Sequence, residues 1–134
     1  LAHALLGLGQ ELRWLRDPTR GGLATTLNEL AGAAGVAVRL EEEQLPLRPE
    51  VLGACEILGI DPLYVANEGK LVAVVSPAAA DSALAALSAH PLGRAAAIVG
   101  EVAAEPAGLV VLETTFGGRR VVDMLVGDPL PRIC

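Results

Sequence analysis

Aromatic residues are nearly missing from this sequence: Trp14, Tyr64 and Phe116 are the only three among 134 residues. A core built from such a chain must be aliphatic, packed tightly from Ala, Val and Leu. Low-complexity runs are also lacking, and hydrophobic residues make up 52%, which excludes a disordered chain. No apolar stretch approaches the roughly 18–20 residues that a membrane span needs. A basic excess is missing too. Ten Lys+Arg against sixteen Asp+Glu leave a net charge of −6, which argues against an electrostatic grip on nucleic acid. Two cysteines, Cys55 and Cys134, are too few for a disulfide framework and fit a reducing, cytoplasmic setting. Neither has a second thiol or a His at metal-ligand spacing, so no zinc site is expected. The start, Leu1-Ala2-His3-Ala4, carries no initiator Met, basic n-region or cleavage pattern, and reads as a piece of a longer chain.

What is present is a series of short apolar segments. Leu1, Leu5, Leu8, Leu12 and Leu15 recur at steps of four and three, the stripe of an amphipathic helix. Arg16-Asp17-Pro18-Thr19-Arg20-Gly21-Gly22 interrupts it. A second helix is expected with Leu23, Leu27, Leu30 and Ala34 on one face, stopped by Gly32 or Gly35. Val36 to Leu40 reads as a strand and Glu41-Glu42-Glu43-Gln44 as a solvated connection. Pro49 suits the first position of a helix carrying Val51, Leu52, Cys55 and Leu58 inward, with Cys55 a buried structural thiol. Leu63 to Ala66 and Leu71 to Val75 read as two strands around a turn at Asn67-Glu68-Gly69-Lys70. A helix over Pro77 to Ser88 follows, then strands over Ala95–Ala103, Leu109–Glu113 and Arg119–Val122, the last two joined at Gly117-Gly118. The mixture, closing on an antiparallel hairpin, predicts an α+β sandwich. Residues 1–122 form one domain in this reading. Residues 123–134, with Gly127, Pro129 and Pro131, read as a flexible tail reaching roughly 40 Å when extended.

Three places could carry chemistry. A thiol at Cys134, the last residue of the sequence, is sterically open and deliverable into a distant pocket; it is equally an incidental final residue. Asp17 to Gly22 opens a helix, where backbone N–H groups and the helix dipole favour anions; Gly21 and Gly22 permit close approach and Arg20 adds charge. Asp17 and Thr19 serve equally well as helix caps. Glu68, in a largely apolar stretch, suits a general base held in the protonatable range by its surroundings, or an ordinary turn residue paired with Lys70. His3 and His90 have no partners in the sequence.

Taken together, the segments carry a resemblance. Arg16-Asp17-Pro18-Thr19-Arg20-Gly21-Gly22-Leu23-Ala24-Thr25-Thr26-Leu27-Asn28-Glu29 resembles the helix-opening signature of the HypE family, and Asp61-Pro62-Leu63-Tyr64-Val65-Ala66-Asn67-Glu68-Gly69-Lys70 resembles a second signature of it. Phe116-Gly117-Gly118-Arg119-Arg120, Asp123 and the ending Pro129-Leu130-Pro131-Arg132-Ile133-Cys134 are similar to that family's tail. These three matches stand in the same order and span nearly the whole chain.

The resemblance implies the C-terminal α/β domain of a protein in the aminoimidazole ribonucleotide synthetase-like superfamily. Its N-terminal ATP-binding domain, which supplies the acidic Mg ligands, is absent from this chain. It implies a carbamoyl dehydratase acting in [NiFe] hydrogenase maturation, a homodimer at full length. A partner carbamoyltransferase loads the thiol of Cys134 with a carboxamide, ATP-dependent dehydration leaves a thiocyanate, and the cyano group passes to iron on a maturation scaffold complex. Glu68 is then the base, and Asp17, Thr19, Arg20, Gly21, Gly22 and Asn67 face the nucleotide. Without its other half, this chain is expected neither to bind ATP tightly nor to dehydrate anything. Two alternatives remain at this stage: a protein-interaction module that presents a thiol, and another ATP-using enzyme of the same superfamily.

Overall fold

The computed structural model describes residues 1–124, and the remainder of the expected tail, with Cys134, lies outside the described residues. Helices and strands are mixed as expected. Among the described residues six strands make two sheets: β1 (Leu12–Arg16) pairs antiparallel with β3 (Val72–Val75), and four strands run in the order β4-β2-β5-β6. In the larger sheet β2 (Ala37–Glu41) lies between β4 (Gly100–Ala103), antiparallel to it, and β5 (Val110–Glu113), parallel to it. β6 (Arg119–Val121) closes the hairpin with β5. Its turn forms at Gly117, whose φ of +79° suits glycine, while the Thr114 amide donates to the Gly118 carbonyl.

The helix α2 (Gly22–Ala34) packs on this sheet. Ala24, Leu27, Ala31, Val38, Leu40, Leu63, Val110, Leu112 and Val122 form one buried aliphatic cluster. The buried stripe of α2 centres on Ala24, Leu27 and Ala31, with Leu23 and Leu30 half-buried beside it and Ala34 exposed. Small residues at 24 and 31 let the helix backbone lie close to the strands. Gly35, at φ +64°, ends the helix in the left-handed C-cap position and donates to the Ala31 carbonyl.

Several expectations are corrected. The first stripe is not one helix: α1 covers only Ala2–Leu6, a 3-10 turn covers Gly9–Glu11, and Leu12–Arg16 is β1. Gly9, at φ +57°, leaves helical space, and β1 finds its partner some sixty residues later, beyond the reach of local periodicity. No strand forms over 63–66. Asp61-Pro62 instead opens a 3-10 turn over Pro62–Tyr64, with the Asp61 carboxylate accepting from the Leu63 amide at 2.9 Å. The strand expected from Ala95 begins at Gly100. On α3 (Pro49–Leu58) only Cys55 is buried, and Leu52 and Leu58 are exposed. Pro49 does stand at the helix start, and Cys55 is a buried free thiol. The helix expected from Pro77 to Ser88 is a 3-10 turn, Pro77–Ala79, running into α4 (Ala80–Ser88). Of the acidic run, Glu42 is half-buried and accepts from the Thr115 amide at 2.9 Å, which fixes the hairpin end.

Candidate functional site

Two of the three places singled out in the sequence are neighbours. Gly21 and Gly22 both have positive φ, +66° and +61°, a succession that only glycine adopts without strain. A Cβ on Gly22 would sit 2.5 Å from the carbonyl oxygens of both Leu63 and Val65. A Cβ on Gly21 would run into the Thr25 side chain, 2.0 Å from its Oγ1. The glycines thus let the chain's own backbone close in: the 61–67 segment presses against the start of α2. The Asn67 amide adds a hydrogen bond to the Pro18 carbonyl at 3.1 Å.

Around this junction Pro18 and Gly22 are buried, Thr19, Gly21 and Asn67 half-buried, and Asp17, Arg20 and Glu68 exposed. Among the described residues no side chain caps the first turn of α2, and no acidic residue stands in it, an arrangement whose helix dipole favours an anion. Asn67 donates its side-chain amide to the Val65 carbonyl at 3.1 Å, holding its own loop. Glu68 stands on a bend and lacks the apolar enclosure expected of it. Among the described residues no group of three His, Cys, Asp or Glu side chains is placed to hold a metal ion. Among the described residues the junction therefore brings together the start of α2, Thr19 and Arg20, with no such carboxylate cluster beside them. A shallow groove lined by Trp14, Arg16, Glu29, Leu30, Ala33 and Ala34 lies along the later turns of α2 and includes none of the expected site residues.

The third place, Cys134, lies outside the described residues, which end at residue 124. Val122 is fully buried, and its amide donates to the Val110 carbonyl at 2.8 Å. Its carbonyl accepts from the Asn28 side-chain amide at 2.8 Å, and the same nitrogen donates to the Ala24 carbonyl at 2.9 Å. One residue on, the Asp123 carbonyl accepts from the Tyr64 hydroxyl at 2.9 Å. Arg120 reaches Asp61 at 2.5 Å. Burial pushes the Tyr64 phenol above its ordinary pKa, the Asp61 carboxylate adding to the shift and Arg120 opposing it. The chain thus reaches residue 123 stitched to α2 and to the Asp61–Tyr64 turn, the two elements that flank the candidate site. Asn28, Asp61, Tyr64 and Arg120 were not singled out as functional in the sequence. Asn28, a polar side chain on a largely buried helix face, was the available signal.

Residues 1–113 match the family described as AIR synthase related protein, C-terminal domain. The chain is 58% identical over 126 residues, 94% of its length, to the carbamoyl dehydratase HypE of Rhizobium leguminosarum bv. viciae, of which it covers 36%. It is 55% identical over all 134 residues to that of Cupriavidus necator, of which it covers 38%. The chain therefore spans well under half the length of the curated relatives it matches. Among solved structures, a hydrogenase maturation protein HypE superposes over the whole chain with a TM-score of 0.91 at 45% identity, the chain covering 44% of it. A HypE in complex with ATP gives 0.87 at 43% identity over 96% of this chain and 41% of that one. A HypE–HypF complex gives 0.85 at 44% identity over 90% and 39%. Sequence and fold agree, and the chain belongs to the AIR synthase related C-terminal domain family, in its HypE branch.

Proposed function

We propose that this chain is the C-terminal part of an ATP-dependent carbamoyl dehydratase, which converts a carboxamide carried on the thiol of Cys134 to a thiocyanate. The observation that carries this reading is the convergence of three separated segments. The first turns of α2, the 61–67 segment and residues 122–123 are joined by contacts at Gly22, Asn67, Asn28 and Tyr64. The reading is further supported by relatives named carbamoyl dehydratase HypE at up to 60% identity. A tail that begins at this junction keeps its last residue within reach of it: eleven residues beyond Asp123 extend at most about 40 Å.

An amide oxygen is a poor leaving group, and ATP, as co-substrate, supplies the phosphoryl group that makes it a good one. The chain's own residues do the remainder. Cys134 carries the carboxamide, and its tether holds the substrate at high effective concentration. Glu68 takes up one N–H proton at a time, returning it to solvent between the two, as the phosphorylated oxygen leaves as phosphate and the C≡N bond forms. Thr19, Arg20 and the uncapped first turn of α2 face the nucleotide phosphates, with Asp17 and Asn67 at the rim. The metal ligands come from the part of the protein outside this chain, and this chain alone does not turn over.

The partners follow the same reading. A carbamoyltransferase of the HypF kind loads the thiol, consistent with the relative solved as a HypE–HypF complex. An iron-carrying maturation scaffold receives the cyano group, the full-length protein is a homodimer, and the work is cytoplasmic. Residues 1–122 act as the folded body and 123–134 as the arm. The test uses the full-length parent with its carbamoyl donor system and ATP, followed by intact mass. The expected record is a carbamoyl adduct on Cys134 and then loss of one water, with neither event in Cys134→Ala. An adduct that persists in Cys134→Ala overturns the reading.

A further inference from the structure

We propose that Asn28 and Tyr64 are positioning residues that anchor the root of the tail, fixing where the chain leaves the folded body. The proposal rests on the reading of Cys134 as the substrate-carrying thiol.

The two contacts are not equivalent in what the fold requires. Val122 is fully buried, so its carbonyl needs a donor, and Asn28 supplies one. Asn28 is itself held in place, because the same amide nitrogen donates to the Ala24 carbonyl one turn back. Asn is a mediocre helix former, and at this position its amide faces the departing chain. Asp123 is exposed, and water can satisfy its carbonyl, yet the Tyr64 hydroxyl takes that place at 2.9 Å. Solvation does not demand that contact, which ties the carbonyl of residue 123 to the Pro62–Tyr64 turn. Tyr64 belongs to the turn that Gly22 packs against, and Asn28 lies on the helix that Gly22 opens. The anchor points are therefore built into the elements that carry the candidate site.

A tether delivers its load according to its length and to where its fixed end sits. Releasing the root by two or three residues lengthens the effective arm and broadens its directions, which lowers the local concentration of the S-carboxamide at the site. The anchor thus acts on the intramolecular reaction and leaves the site's own chemistry alone.

The experiment compares reaction in cis with reaction in trans, in the full-length protein. Tyr64→Phe removes one donor and keeps the ring, Asn28→Leu removes the other, and the double variant removes both. In cis, each single variant slows loss of water from carbamoylated Cys134 by about three- to tenfold, the range of one net hydrogen bond, and the double variant slows it further. In trans, a peptide of residues 124–134 carrying the carbamoyl group is offered to the full-length protein with Cys134→Ala, with and without Tyr64→Phe; its dehydration rate is unchanged. A cis rate unchanged by Tyr64→Phe overturns the proposal, and so does an equal fall in cis and in trans. Should the unsubstituted protein take up a carbamoyl group and never lose water, the proposed reaction fails, and hydrogen exchange at the Val122 amide then judges the anchor separately. Faster exchange in Tyr64→Phe supports the anchor, and unchanged exchange overturns it.

Discussion

Arg120, on β6, lies 2.5 Å from the carboxylate of Asp61, which in turn accepts the Leu63 amide through its other oxygen. One carboxylate thus holds a local turn together and ties it to a strand 59 residues away. Because the pair is only part-buried, its Coulombic contribution is moderated by solvent, and the two partners are unequal. Removing Asp61 takes away an ion-pair partner and a turn cap; removing Arg120 takes away the ion pair alone.

Asp61→Ala is therefore expected to cost about 1–2 kcal/mol of folding stability, and Arg120→Ala less than half of that. Chemical denaturation of the two variants beside the parent chain checks the ranking. Equal losses would mean that the Asp61–Leu63 contact contributes nothing.

Gly22 separates space from conformation. Gly22→Ala must place a methyl group 2.5 Å from two carbonyl oxygens at φ +61°, so it forces the 61–67 segment off α2 and is expected to cost at least about 3 kcal/mol. Gly35→Ala meets nothing within 4 Å at a similar φ of +64° and should cost only about 1 kcal/mol, the left-handed penalty. Thermal unfolding of both variants tests the contrast, and comparable shifts would refute close packing at Gly22.

These positions show what was legible in the sequence. Gly35 after an apolar run, Pro49 before one, and the strand-like segment Val36 to Leu40 are local signals, and the elements they announce are present. The Leu spacing from Leu1 to Leu15 misled because 3-4 periodicity survives when a helix, a turn and a strand follow one another, and the partner of β1 lies at Val72–Val75. Val65 and Ala66 looked like a strand and had no strand to pair with; the Asp61-Pro62 cap and the pressure of Gly22 shaped that stretch instead. At the site, the helix start and the 67–70 bend were readable from residue type. Their adjacency was not, nor was the role of Asn28 or Tyr64, because each depends on a contact across the chain that no local spacing encodes.

Glu68→Gln in the full-length parent should leave carbamoyl loading of Cys134 intact while slowing water loss by about a hundredfold, the usual contribution of a positioned base. Intact mass over time would show the carbamoyl form accumulating. Normal dehydration by this variant would remove Glu68 from the mechanism and leave the exposed bend at 67–70 as a turn and nothing more.

Tyr64 is the only tyrosine in the chain, so phenolate absorbance near 295 nm reports it without interference. Burial first, and the Asp61 carboxylate second, raise its folded-state pKa above the ordinary value of 10.0, so the absorbance midpoint should lie above 10.0 when folded and return to it in denaturant. The sign for stability follows from linkage. With the folded pKa above the unfolded one, the contribution is complete below pH 10.0 and is lost as pH rises through the folded value, because the unfolded chain gives up its proton first. Stability measured from pH 9 upward should therefore fall through this window in the parent chain, and Tyr64→Phe should lack that component of the fall. A folded-state midpoint at or below the denatured one would mean that the phenol is not held against Asp123 and Asp61 as the structure has it.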